Sequence, residues 1–518
     1  MIQDTFATTA MVIAMIYLIW NCFEVGRNDA ANLVNAVFGA RVLKRRIAVL
    51  ISGFFVVLGA TNSSSVMDTM RKGIFSAEVL SPEAAIALFL SANLVCTVLL
   101  YAFSAFGIPV STTATLVFAL AGSSIGVALS LDIVNWTSFF TIIAAIVMSI
   151  FLSAIAGFMG QRIFRGAIRD KGTNHTILLL HGPWVTGLIL TCLSWFMLVK
   201  GLKSIQIVRS FRENIVDVYG TAPILLVYWA VLTLLTHLVL AVLPRHKTKY
   251  LFHFTAVVGM CCMAFAFGQN DLANAASPGL SSLFIWLEGM TTSFSIPRLA
   301  LFACGVLIFL GMTTKKAQRV TRAEVNMGSQ YDSVSLYSPA WSQKLAKFFI
   351  RKNHDQSLAP APSRTNRDKK LHYDPLRASV IMAASASVIA FASGVGLPVS
   401  TTYVAFAAVL ATGWGDKVFV RGDADKKVGR AIWVIFCWFF SGFIALTAGA
   451  LMGAMIFHWQ WVGLAIALAL NLSAKVFFGK KSDQHEALHH GKKSGKDDLE
   501  DDEEPATIKV TQRSPSST

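Results

Sequence analysis

Two stretches of this chain carry the same polar residues at the same spacing. Residues 26–32 read GRNDAAN and residues 268–274 read GQNDLAN. A second pair, GIPVSTT at 107–113 and GLPVSTT at 396–402, differs at one position. Carboxylate and amide oxygens suit a hard cation such as Na⁺. Asn28, Asp29, Asn270 and Asp271 are therefore the candidate Na⁺ ligands, and Asp29 and Asp271 the groups that would bind the cation or couple to a proton. Amide N–H₂ groups, hydroxyls and the backbone N–H groups of a helix start suit an oxyanion. That assigns substrate binding to Asn28, Asn32, Ser111, Thr112, Thr113, Asn270, Asn274, Ser400, Thr401 and Thr402. A plainer role exists for each set, since Asp or Ser can simply cap a helix. The recurrence of whole constellations favours a site.

These residues stand in an apolar chain. Of 518 residues, 54% are hydrophobic and 14% charged, against about 25% charged in soluble domains. The composition predicts an all-α polytopic membrane protein of about 10–12 segments, each spanning with about 20 apolar residues. An ionisable group at mid-membrane costs at least about 2.5–3.5 kcal/mol, so Glu24, Arg27, Asp29 and Asp271, which fall inside apolar segments, call for a reason. Arg27 is expected to pair with Glu24. The N-terminus lacks a basic n-region, so 5–24 reads as a retained membrane helix. All seven cysteines lie in apolar runs and read as packing residues.

The elements that must position the motifs follow from the repeat. Residues 1–160 form a first transporter repeat, 161–250 linking membrane helices, and 251–314 with 377–456 a second repeat. A polar insert at 315–376, a final membrane helix at 457–478 and a disordered tail at 479–518 complete the chain. Asn28 and Ser111 are 83 residues apart, Asn270 and Ser400 130, and the insert absorbs the difference. An odd number of crossings between the Asn-Asp motifs makes the halves inverted, as in many secondary transporters, provided that 176–200 and 221–243 each cross once. Interrupted helices are expected at the Asn-Asp motifs, where Gly26 and Gly268 would allow an unwound turn. At the Pro-Val-Ser-Thr-Thr motifs re-entrant hairpins are expected, two full crossings being the alternative; either leaves the parity unchanged.

The formal net charge of +16 does not point to nucleic acid. Its Lys and Arg cluster at 41–46, 162–171, 244–250, the insert and the tail. With the N-terminus outside, all of these face the cytoplasm, as the positive-inside rule requires; Arg71, Lys72 and the 201–220 loop fall on the other face. Residues 340–352 space Trp341, Leu345, Phe348 and Phe349 as a short helix on the cytoplasmic membrane surface.

Phosphate fits such a site better than sulfate. It retains a proton at neutral pH that a carboxylate can accept, whereas sulfate meets the same carboxylate with bare oxygens. The four motifs together resemble those of the inorganic phosphate transporter (PiT) family, over roughly 20–160 and 250–456. The resemblance implies a symporter that imports phosphate across the plasma membrane (the inner membrane in a bacterium) with Na⁺ or H⁺, by alternating access. It implicates the same twelve residues by motif match, with no cofactor and no enzymatic activity. A homodimer is compatible with it. Departures are Ala114 and Tyr403, where the family commonly has His, Arg27 in place of a small residue, and Phe267 where His is frequent. They bear on the coupling ion and on the anion, since some relatives carry sulfate.

Other classes leave weaker traces. A sulfate permease of the same fold is the alternative within transport, and a non-transporting anion sensor a further one. HEALH at 485–489 matches a zinc metalloprotease motif, yet it sits in a charged tail without the third ligand and cleft that such a site requires.

Overall fold

The computed structural model describes residues 4–63, 66–67, 69–70, 73–75, 80–169, 174–202, 205–290, 296–330, 334, 336–350, 372–420 and 422–490, the side chains of residue 200 and residues 485–490 excepted. Arg71, Lys72, the insert's 351–371 and the tail's 491–518 lie outside them. Among the described residues the structure is helical, with one isolated antiparallel bridge between Phe75 and Val134.

Helix α1 spans Thr5–Gly39 and starts at Asp4, whose carboxylate accepts the Phe6 and Ala7 amides. It is followed by α2 (Arg45–Ala60), α3 (Pro82–Ala105), α4 (Thr112–Ala128), α5 (Trp136–Ala167), α6 (His175–Ser194, continued by a π-helical turn to Gly201) and α7 (Thr221–Val242). The second half runs through α8 (Leu251–Glu288), α9 (Arg298–Met312), α10 (Lys315–Gly328), α11 (Ala340–Phe349), α12 (Pro375–Gly394), α13 (Thr401–Gly415), α14 (Ala424–His458) and α15 (Gln460–His490).

Nine of these helices are long and apolar enough to cross a bilayer, and the bent pair α9–α10 makes a tenth. The count falls at the lower edge of the expectation because α2 has 16 residues, α4 17 and α13 15. Helices α5 and α7 turn large apolar side chains outward, among them Phe140, Phe151, Leu226 and Leu234, as lipid-facing helices do.

The hairpins are built alike. Ser81 caps α3 with Pro82 following, and Asp374 caps α12 with Pro375 following; proline is well placed at a first helical position. Each helix ends in a left-handed glycine, Gly107 (φ 66°) and Gly396 (φ 76°), a conformation glycine adopts without steric cost. Pro109 or Pro398 follows, and then Ser111 or Ser400 caps the returning helix.

The interruptions lie elsewhere than expected. Helices α1 and α8 run unbroken through GRNDAAN and GQNDLAN, over 35 and 38 residues. The motif glycines instead let helices touch. A Cβ on Gly26 would stand 1.9 Å from the Ile308 carbonyl oxygen of α9, and one on Gly268 2.2 Å from that of Val56 in α2. Gly311 faces the Phe23 oxygen, and Gly59 the Phe265 oxygen, in the same way. The α1–α9 and α8–α2 contacts are thus two copies of one small-residue packing. The main break falls between α9 and α10, which meet at 69°.

Two assigned boundaries also move. Residues 315–328, expected in the polar insert, form α10 and pack on α1. Residues 479–490, expected in the disordered tail, continue α15. Helix α11 confirms the short helix of the insert at Ala340–Phe349, where Trp341 packs edge-on against Trp433 and Phe436 of α14.

Candidate functional site

All twelve motif residues come together. They are buried, with Asn28, Asp29, Asn32, Asn270 and Asp271 at 0% exposure. Helices α1 and α8 supply the Asn and Asp side chains, and the hairpin tips before α4 and α13 supply the Ser and Thr.

The pairing crosses between halves. Asp29 Oδ1 accepts the Thr402 hydroxyl at 2.7 Å, and Asp271 Oδ1 accepts the Thr112 hydroxyl at 2.5 Å. Asn32 donates to Asp29 Oδ1 (3.0 Å) and Thr402 Oγ1 (3.2 Å); Asn274 donates to Asp271 Oδ1 (2.9 Å) and Thr113 Oγ1 (2.7 Å). Asn28 donates to the Val110 carbonyl at 2.6 Å, and Asn270 to the Val399 carbonyl at 2.7 Å. These last bonds satisfy hairpin carbonyls that non-helical backbone leaves exposed, which is how irregular chain is tolerated inside a membrane protein. The tip before α4 is also held by Trp438 of α14, whose indole N–H donates to the Pro109 carbonyl at 3.0 Å. Tyr403 stacks on that indole with ring centroids 3.8 Å apart.

The donors and acceptors left over define what the site can take. Asn28 Oδ1, Asp29 Oδ2, Asn32 Oδ1 and Asn274 Oδ1 are buried without a partner. All four are acceptor oxygens, the chemistry of a cation site. Ser111 and Ser400 cap their helices by accepting the Ala114 and Tyr403 amides at 3.0 and 3.1 Å. Each first turn still carries the amides of Thr112 and Thr113, or of Thr401 and Thr402, which have no intrahelical acceptor. Such a helix N-terminus favours an anion, and the crossed Asp–Thr bonds bring two of them to the same site.

The expected Glu24–Arg27 pair forms at 2.5 Å. Arg27 also donates to Ser104 Oγ at 3.0 Å and lies over the Tyr101 ring. It is committed to α3 rather than to an anion. Sequence reasoning missed several buried charges: Glu324 in α10, Arg377 in α12, Arg430 in α14 and Lys475 in α15. For Glu324 the signal was present, because the buried Ala317, Val320, Thr321, Glu324, Val325 and Gly328 recur at helical spacing. The HEALH segment lies on α15, its side chains outside the described residues. No group of three His, Cys, Asp or Glu side chains arranged to hold a metal occurs among the described residues.

Residues 25–329 match the family model of the Phosphate transporter family. A protein of Thermococcus kodakarensis named "putative phosphate permease" is 25% identical over 440 residues, covering 84% of this chain and 94% of its own length. One of Chlamydia pneumoniae with the same name is 26% identical over 464 residues, covering 85% and 95%. A solved structure described as a sodium-dependent phosphate transporter superposes with a TM-score of 0.64 at 22% identity, over 87% of this chain and 98% of that one; it shares the fold. The crossed Asp–Thr pairs thus lie in a multi-pass membrane protein whose sequence places it in a known group, and the chain belongs to the phosphate transporter family.

Proposed function

We propose that this protein imports inorganic phosphate across the plasma membrane by symport with Na⁺ or H⁺, with alternating access about the site between α1, α8 and the two hairpin tips. The family is one of transporters, not enzymes. The observation that carries the reading is the crossed pairing of Asp29 with Thr402 and of Asp271 with Thr112. Each carboxylate is held by the hairpin of the other half, so a movement of one half against the other changes both pairs at once. In this reading the halves are inverted repeats at 1–160 and at 251–314 with 377–456. The Ser, Thr and Asn donors hold phosphate, and Asp29 and Asp271 hold the coupling cation. No further cofactor is required.

Spare acceptor oxygens at Asn28, Asp29, Asn32 and Asn274 support a cation beside the anion. The name of the similar solved structure favours Na⁺. The deciding experiment is labelled phosphate uptake into proteoliposomes under an imposed Na⁺ gradient and, separately, a pH gradient, with excess sulfate as competitor. Uptake driven by one gradient and indifferent to sulfate is expected. Sulfate accumulation in place of phosphate would move the protein to the sulfate alternative, and no flux of either anion would overturn the transport reading.

The N-terminus is assigned to the outside, and the insert and tail to the cytoplasm. A cysteine introduced at Ser357 is expected to resist an impermeant thiol reagent in intact cells and to react after permeabilisation. Labelling in intact cells would reverse the assignment.

A further inference from the structure

The polar face of α1 does not end at the site. Asn28, Asn32 and Asn35 stand at i, i+4 and i+7, one above another on a single helical face. All three are at 0% exposure. Their side-chain nitrogens are used, and their side-chain oxygens have no partner. The row ends on Glu324 of α10, itself 2% exposed. Asn35 donates to Glu324 Oε2 at 2.7 Å, while Glu324 Oε1 has no partner. Successive acceptor oxygens therefore run from the candidate site to a buried carboxyl group, towards the end of α1 that the proposed topology places at the cytoplasm.

Among the described residues no cationic side chain pairs with the Glu324 carboxyl group. The Tyr373 hydroxyl donates to the backbone carbonyls of Glu324 and Val325, not to the carboxyl group. Arg377 lies over the Tyr373 ring and donates to the Gly328 and Val409 carbonyls and Thr412 Oγ1. From α14, Lys427 donates to the Ser329 carbonyl and Arg430 to those of Gly107 and Tyr337. On the α3 side, Lys316 donates to the Tyr101 hydroxyl. The site carboxylate on the same helix, Asp29, lies six residues before Asn35 and accepts Thr402, Asn28 and Asn32. An ionised carboxylate with one amide donor and no cation is costly in such surroundings. Two free oxygens, Glu324 Oε1 and Asn35 Oδ1, are also far short of the oxygen cage that holds a metal cation.

We propose that Glu324 is a proton-binding station between the candidate site and the cytoplasm. A hydrated proton follows the Asn28–Asn32–Asn35 oxygens and is taken up at Glu324 Oε1. The O–H bond forms there as one O–H bond of hydronium breaks, leaving water; release to a cytoplasmic water reverses the step. This rests on the cation-symport reading above and adds a carboxyl group that the repeated motifs do not contain.

The test uses the full-length protein in liposomes, as wild type, Glu324→Gln and Glu324→Asp. Infrared difference spectra across a pH step report the protonated-carboxyl stretch. The expected result is a band present in wild type, absent in Glu324→Gln and restored, with a shift, in Glu324→Asp. Phosphate accumulation under a pH gradient is expected to fall at least about tenfold in Glu324→Gln and to recover in part in Glu324→Asp. An unchanged spectrum and an unchanged pH profile in Glu324→Gln would overturn the station. A loss that follows Na⁺ concentration and not pH would overturn its assignment to protons. If wild type moves no phosphate, the transport reading fails, and the infrared arm still decides whether Glu324 takes up a proton.

Discussion

Asp271→Asn is expected to lower the initial rate of phosphate uptake at least about 100-fold, with the purified protein still monodisperse. The Asp271 Oδ1 atom accepts the Thr112 hydroxyl at 2.5 Å and the Asn274 amide at 2.9 Å, and Oδ2 faces Asn270 at 3.5 Å. An amide in its place retains one acceptor oxygen and turns an N–H₂ group towards other donors. The site also loses the negative charge that a cation requires. Asp29→Asn can keep one acceptor for Thr402, Asn28 and Asn32, which bond Asp29 Oδ1 at 2.7, 2.9 and 3.0 Å, but it removes the charge and puts an N–H₂ group in place of the unpartnered Oδ2. The two variants are expected to fail alike, since each carboxylate is tied to the hairpin of the other half. Uptake by proteoliposomes, normalised to reconstituted protein, is the measurement. Wild-type rates in both variants would remove the aspartates from the site.

The candidate site was legible in the sequence because its chemistry is written twice. A repeated Asn-Asp-x-x-Asn and a repeated Ser-Thr-Thr leave few other pairings, and the hydrogen bonds join one set to the other. What composition could not show is how the backbone runs through the first set. Glycine and asparagine weaken an isolated helix, so an unwound turn is the natural reading of GRNDAAN. The helix continues because the Asn28 and Asn270 side chains bond to the Val110 and Val399 carbonyls, which are tertiary partners invisible to local sequence.

Other elements were misread for opposite reasons. Residues 315–328 look like solvated insert because Lys315, Lys316, Arg319 and Arg322 dominate their composition. Their buried face carries Glu324 into the core against α1. Residues 479–490 are charged and continue α15 nonetheless. There the preceding apolar helix supplies the costly nucleus, and Arg319 of α10 pairs with Asp483 at 2.9 Å.

Gly26→Ala and Gly268→Ala test the close helix approach that the motif glycines allow. If glycine had no packing role in these unbroken helices, alanine would leave stability unchanged or raise it, because alanine is the better helix former by about 1 kcal/mol. The structure predicts the opposite sign. The new Cβ would lie 1.9 Å from the Ile308 oxygen or 2.2 Å from the Val56 oxygen, and a backbone carbonyl inside a helix cannot rotate away. Helices α1 and α9, or α8 and α2, must then separate. Asn28 and Asp29 follow Gly26 within one turn, as Asn270 and Asp271 follow Gly268, so the same displacement reaches the crossed pairs. A loss of about 3 kcal/mol or more is expected from such overpacking, together with uptake near background. Gly166→Ala is the control. It lies near the end of α5 with nothing within 4 Å of its added carbon, and should melt at or above the wild-type temperature. Melting followed by size-exclusion chromatography after heating checks all three variants. A Gly26→Ala or Gly268→Ala protein as stable as the control would mean that the close approach is not what these glycines provide. A destabilised pair beside a stable control would place the motif glycines in the helix contacts that align the two carboxylates.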